Sequence, residues 1–269
     1  MARAIRPTPS KPTPALLQGE GMRWLVFAVV SLGVWELGAR LYNAPFLLPT
    51  PSRILQEFLK TPNLVLQNAW VTAQEIVLGF VLGALIAHLA AVLLIVLPKW
   101  LEDFIFRLVS TLNSIPFVAL ASLVVVWLGV NGIGSKVAIA GLYTFFALVY
   151  FVHKGLVSTD TGKEELLTSY NVSFAQRVRF LKLPSALPII FTSLKGGAMA
   201  AVNGAIVGEL FGAFQGLGFM ILDSRYVGNT ARVFLAAVCC TLVGWLLLGL
   251  LTALERRWVG WHLEMTRQR

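Results

Sequence analysis

The chain has 269 residues, of which 57% are hydrophobic and 13% charged, and its mean hydropathy is +0.75. An average soluble domain carries roughly 25% charged residues, so this composition excludes a water-soluble fold and calls for lipid as solvent. The formal net charge of +9 does not point to nucleic acid, because Lys and Arg cluster in short polar segments beside apolar runs.

Residues 1–23, with Pro7, Pro9, Pro12 and Pro14 among Arg3, Arg6 and Lys11, read as a flexible basic tail. Six apolar stretches follow, at 24–42, 70–97, 104–128, 137–157, 187–214 and 231–254. Each is close to or above the roughly 20 residues that cross a bilayer as a helix. The expectation is an all-α integral membrane bundle of about six transmembrane helices over 24–254, with 255–269 as a second tail. The first stretch is read as an uncleaved span and not a signal peptide, since Glu36 and Arg40 stand where small residues would mark cleavage. About fifteen of the 22 Lys and Arg fall in the tails and alternate loops on one side, and about six on the other. The positive-inside rule then places both termini in the cytoplasm.

After the first span, Thr50 is placed to cap a short helix that starts at Pro51 and lies on the outer surface, with Ile54, Leu55, Phe58 and Leu59 on one face. Glu36 and Arg40 form an i, i+4 pair. Small residues Gly79, Gly83, Ala87 and Ala91 make a packing ridge on the second span, where His88 is read as a satisfied imidazole. Ser114-Ile115-Pro116 puts a bend inside the third span. The segment Gly129 to Lys136 approaches a phosphate-binding loop but reverses its Ser and Lys, and no strand precedes it.

The long inside loop, about 158–188, is built as a helical elbow. Glu164 and Glu165 open a helix that runs through Leu166, Leu167 and Tyr170, and Asn171 suits the left-handed turn that ends it. Ser173 and Gln176 form a capping box for a second helix, with Phe174, Val178 and Leu181 on one side and Arg177, Arg179 and Lys182 toward polar surroundings. Pro184 is expected to stop that helix and Pro188 to bend the start of the fifth span.

On the fifth span Gly196, Ala200, Gly204, Gly208, Gly212 and Gly216 recur at every fourth position. This ridge is read as close helix packing and as a lining of a translocation path, with Ser114, Pro116, Asn203, Gly204, Gly208 and Glu209 as path candidates. For Glu209 a structural salt bridge or hydrogen bond to a neighbouring helix is the favoured role. Cys239 and Cys240 read as packing thiols, and no cluster of catalytic or metal-ligating residues stands out.

The stretch Glu165-Leu-Leu-Thr-Ser-Tyr-Asn171-Val-Ser173 through Leu183-Pro184-Ser-Ala-Leu-Pro188 resembles the EAA loop of binding-protein-dependent ABC importer permeases. Glu165 stands at the acidic position, Asn171 at the glycine and Leu183-Pro184 at the closing Leu-Pro, while Leu166 and Leu167 replace the two alanines. Leu48-Pro-Thr-Pro-Ser52, Ser114-Ile-Pro116, Trp127-Leu-Gly129, Gly208-Glu-Leu-Phe-Gly-Ala213 and Gly216-Leu-Gly218 are similar to the nitrate/sulfonate/taurine branch. The resemblance implies a type I ABC importer permease in a bacterial inner membrane. It also implies an elbow, carried by Glu164, Glu165, Leu166, Leu167, Tyr170, Asn171, Ser173, Phe174, Arg177 and Pro184, that couples to an ATPase. The implied partners are a second permease copy, as a homodimer, two ATPase subunits that bind ATP and Mg, and an external solute-binding protein. The chain itself would be non-catalytic and without a cofactor, and its solute a small anion or organic molecule such as nitrate, a sulfonate, taurine or a pyrimidine precursor. The competing reading, a secondary transporter or channel, predicts paired intramembrane charges and an internal repeat.

Overall fold

The computed structural model describes residues 14–130, 132–158 and 161–267. Every regular element among them is helical: α1 (Pro14–Tyr42), α2 (Pro51–Lys60), α3 (Pro62–Val96), α4 (Lys99–Asn113), α5 (Phe117–Leu128), α6 (Ile133–Val157), α7 (Thr161–Ser169), α8 (Phe174–Arg177), a π turn (Val178–Lys182), α9 (Leu183–Gly212), α10 (Leu217–Tyr226) and α11 (Thr230–Arg267). Among the described residues five stretches are long and apolar enough to cross a membrane, and a sixth crossing results if α4 and α5 count as one broken span.

The third span breaks where a bend is expected, at Ser114–Pro116. Its two halves meet at 91°. Pro116 has no N–H to continue α4 and disfavours helical backbone at Ile115, and Pro116 instead starts α5 as its N-cap. Helical backbone also reaches into both expected tail segments. Helix α1 starts at Pro14, a residue suited to a first helical position, while the expected tail residues 1–13 lie outside the described residues. Helix α11 runs on through the helix-favouring Glu255, Arg256 and Arg257, and Glu255 pairs with Lys195 of α9 at 2.5 Å.

Helices α3, α6 and α9 form the centre, and small residues let them meet backbone to backbone. A Cβ added at Gly83 of α3 would lie 2.7 Å from the Thr144 Cβ of α6, and one at Gly204 of α9 would lie 2.7 Å from the Ala140 Cα. Helix α6 is therefore held between two glycine-bearing faces, which is how helices associate where lipid supplies no hydrophobic drive. The ridge on α9 is not uniform. Gly204 and Gly208 press on α6 and Gly212 on Val125 of α5, whereas Gly196 faces open space. His88 is satisfied within its own helix, its Nδ1–H donating to the Ala84 carbonyl at 2.7 Å.

The expected cap on α2 is present, with Thr50 Oγ1 accepting the Arg53 N–H at 3.3 Å. Ile54 and Phe58 pack with Leu217, Met220, Leu235 and Ala236, while Leu55 and Leu59 face outward. Helix α1 is mostly exposed. Its Glu36 pairs with Arg40 and accepts the Ser52 N–H at 3.0 Å and the Ser52 hydroxyl at 2.8 Å, and Trp35 packs on Phe234.

Candidate functional site

The elbow between α6 and α9 is a helical hairpin. Helix α7 ends where Asn171 adopts φ +50°, and the Val172 N–H returns to the Leu167 carbonyl at 3.3 Å, the closing bond of a left-handed helix end. The capping box is reciprocal: Ser173 Oγ accepts the Gln176 N–H at 3.4 Å, and Gln176 Oε1 accepts the Ser173 N–H at 3.0 Å. Leu166 and Tyr170 stand out from the hairpin at 57% and 74% exposure. Glu165, Asn171 and Ser173 are exposed as well, Glu164, Leu167 and Arg177 are half-buried, and the Phe174 side chain lies outside the described residues. The Arg177 Nε is buried with no hydrogen-bond partner among the described residues.

The second arm departs from expectation at two residues. Pro184 does not stop the helix, because the π turn before it widens the coil: the Leu183 N–H reaches five residues back to the Val178 carbonyl. In a regular helix the Pro184 ring would strike the Phe180 carbonyl, and the wider turn removes that clash. Helical backbone then runs unbroken from Phe174 to Gly212, with Pro188 inside it. Lys182, expected toward polar surroundings, is instead buried at 8% exposure and pairs with Glu164 of α7 at 2.9 Å. Leu181 beside it is buried, and Arg179 lies over the exposed Phe180 ring at 5.6 Å.

A second cluster sits at the opposite end of α9. Glu209, 1% exposed, accepts the Thr72 hydroxyl at 2.5 Å and the Gly218 N–H. Thr72 Oγ1 in turn accepts the Leu217 N–H at 2.8 Å, and Asn68 Oδ1 accepts the Gly216 N–H at 2.7 Å. The leading N–H groups of a helix have no partner within it, and here side chains of α3 and α9 supply partners for the start of α10. Gly216 has φ +110°, and a Cβ there or at Gly218 would collide with the Glu209 carboxyl. Glu75 faces Glu209, and its Oε2 is buried without a hydrogen-bond partner among the described residues. Lys136 donates to the carbonyls of Gly132 and Val130, so the lysine of the phosphate-loop-like segment closes its own turn. Gln74, Glu75, Lys136 and Gln215 border a cavity of about 350 Å³ there.

The path candidates are not brought together. Gly204, Gly208 and Glu209 are packed between helices, Asn203 borders a cavity of about 320 Å³ between α9 and α11, and Ser114 and Pro116 lie exposed at the α4–α5 break. Toward the hairpin end, a cleft of about 530 Å³ opens between α6 and α9, lined by Ala147, Phe151, Pro188, Ile189, Thr192, Ser193 and Gly196. Asn68, Thr72 and Glu75 stand outside the residues singled out from sequence. Their i, i+4, i+7 spacing is a polar stripe at the start of an otherwise apolar helix, and it was the available signal.

Comparison with known proteins gives a consistent likeness. Residues 79–260 match the family described as "Binding-protein-dependent transport system inner membrane component". The chain is 31% identical over 238 residues to the formylaminopyrimidine transport permease protein of Halalkalibacterium halodurans, covering 88% of this chain and 94% of that one. It is 31% identical to the riboflavin transport system permease protein of Chloroflexus aurantiacus, covering 88% and 89%. A putative aliphatic sulfonates transport permease protein of Bacillus subtilis is 26% identical, covering 97% and 93%. Among solved structures, a chain of the inward-facing MetNI methionine ABC transporter shares the fold at a TM-score of 0.67 and 20% identity, covering 74% of this chain and 98% of that one.

Proposed function

We propose a working assembly from one premise: this chain belongs to the family of binding-protein-dependent transport inner membrane components. It is a multi-pass inner membrane protein and the permease component of an ABC importer. In the proposed assembly two copies pair, two separate ATPase subunits bind ATP and Mg, and an external binding protein delivers the solute. Both termini and the hairpin face the cytoplasm, in keeping with the Lys and Arg bias.

The observation that carries the proposal is the unbroken helical run from Phe174 to Gly212. A hairpin continuous with a membrane span converts displacement of one into displacement of the other, whereas a flexible joint would absorb it. The exposed Leu166 and Tyr170 give the hairpin the apolar knobs that a protein groove would take up. Glu165, Asn171, Ser173 and Pro184 shape that surface and its joint to α9, and Phe174 belongs to the same surface by its position in the motif.

The solute is proposed to be a small organic molecule, either a pyrimidine-ring compound or a sulfonate. The names of the relatives support this, and the identity is higher toward the pyrimidine-type permease. The test is reconstitution. The chain should co-purify with an ATPase and take up solute into liposomes only with ATP and the binding protein present. Mass spectrometry of the binding protein's bound ligand identifies the solute. Uptake by the chain alone, without ATP, would overturn the proposal in favour of a secondary transporter.

A further inference from the structure

The hairpin's two arms are fastened to each other at a specific place. Lys182 ends the π turn, at the point where the hairpin becomes α9, and its ammonium reaches Glu164 on α7 at 2.9 Å. Lys182 is almost fully buried while Glu164 is about one-third exposed. A lysine is seldom buried without a partner, because its charge loses water that only a close anion replaces. The π turn is the least regular part of the run from Phe174 to Gly212, and π turns inside helices concentrate at functional sites. A push on α7 would be lost at such a turn if nothing tied α7 beyond it.

We infer that the Lys182–Glu164 ion pair is a latch that fastens α7 to the base of α9, so that movement of the hairpin is delivered to the membrane span and not dissipated in the π turn. Both residues are positioning residues. The inference rests on the proposed coupling role of the hairpin and adds to it the joint that makes the coupling stiff. It also distinguishes Lys182 from its neighbours Arg177 and Arg179, whose charges are not used inside the hairpin by any ion pair among the described residues.

The experiment uses the full permease–ATPase complex, with Cys239 and Cys240 replaced by Ala. Thr192→Cys reports on the exposed cleft between α6 and α9 through its rate of reaction with a fluorescent maleimide, and Tyr170→Cys reports hairpin contact through cross-linking to the ATPase. Trapping the ATPase with ADP and vanadate is expected to change the Thr192→Cys labelling rate by about fivefold or more, the low end of a site-to-site coupling. Lys182→Met and Glu164→Gln should abolish that change while the Tyr170→Cys cross-link persists. The charge exchange Glu164→Lys/Lys182→Glu should restore it, which a merely structural lysine would not predict. A labelling change that survives in Lys182→Met and Glu164→Gln with the cross-link intact overturns the latch alone. Absence of the cross-link in the otherwise native complex overturns the coupling role of the hairpin and the latch with it.

Discussion

A pair of single substitutions on one face of α9 tests whether its glycine ridge is a contact surface. At Gly204 an added methyl would sit 2.7 Å from the Ala140 Cα and 3.1 Å from the Ile139 carbonyl. Ordinary van der Waals contact begins at 3.4 Å, so α6 and α9 must separate by about 0.7 Å. Both atoms are backbone and no rotamer change relieves them. Overpacking of this kind costs about 1–3 kcal/mol, against which replacing glycine in a helix returns up to about 1 kcal/mol. Gly204→Ala should therefore destabilise by up to about 2 kcal/mol, a fall in Tm of up to roughly 8 °C for a chain of this size. Gly196→Ala, two turns earlier on the same ridge, meets nothing within 4 Å and should leave the Tm unchanged or slightly raised. The assay is thermal unfolding of the detergent-solubilised subunit by thiol-reactive dye. Equal Tm values for the two variants would refute the claim that α6 reads the ridge at Gly204.

Three further substitutions bear on the start of α10. Glu209→Ala strands the Gly218 N–H, while the Thr72 hydroxyl keeps the Asn68 carbonyl as acceptor at 3.1 Å, so it should cost about 1–3 kcal/mol, and a Tm within error of the parent would refute the pin. Gly216→Ala both strains a φ of +110° and collides with the Glu209 carboxyl; it should lower the Tm at least as far, and the double variant with Glu209→Ala should cost less than the sum of the two. Thr72→Val keeps the shape but loses the hydroxyl that bridges Leu217 and Glu209; hydrogen exchange at Leu217 should quicken, and unchanged exchange counts against the bridge. On the α2 face, burial would raise the Glu57 carboxyl, but hydrogen bonds from Asn229 and Arg232 and the Arg232 charge outweigh it and hold its pKa below the ordinary 4.5. Its contribution to stability is therefore complete above about pH 4.5 and lost as pH falls through the lower folded value. A Tm profile on the acid side should lose that component in Glu57→Gln, and a superimposable profile would sink the assignment.

The hairpin was legible where its signals are local. A left-handed Asn171 and a Ser173–Gln176 box each act within a few residues, so the sequence pattern and the structure agree on them. Lys182 was not legible, because its burial follows from the π turn. That turn shifts every later residue around the helix axis relative to the regular period used to sort polar from apolar faces. Pro184 misled for the same reason, since a proline stops a helix only while the helix keeps its regular width. The 91° at Ser114–Pro116 was visible as a proline but not as an angle, which depends on where α5 finds packing against Val125's neighbours on α6 and α9. Glu209 was identifiable as a costly buried charge, yet its partner Thr72 is 137 residues away. No periodicity links such a pair; only the polar stripe on α3 hinted that something had to face it.

The two ends of α9 impose different mechanical conditions, and together they restrict how the helix can move. At the hairpin end it is continuous with a protruding arm, and along its middle Gly197, Gly204 and Gly208 receive Leu148, Ala140 and Ile139 of α6 at close quarters. At the far end the start of α10 is held simultaneously by Glu209 on α9 and by Asn68 and Thr72 on α3. Hydrogen bonds weaken steeply once stretched well beyond 3.2 Å, so α9 cannot slide along α3 by much more than about 1 Å without releasing one set of these donors. Releasing them strands buried N–H groups at about 1–3 kcal/mol each. Either α3 and α9 travel as one body, or the turn from Ala213 to Gly216 yields and opens the neighbouring cavity at Glu75 and Lys136. The glycine notches seat α6 against α9, and the pinned end of α10 decides which of these two forms the motion takes.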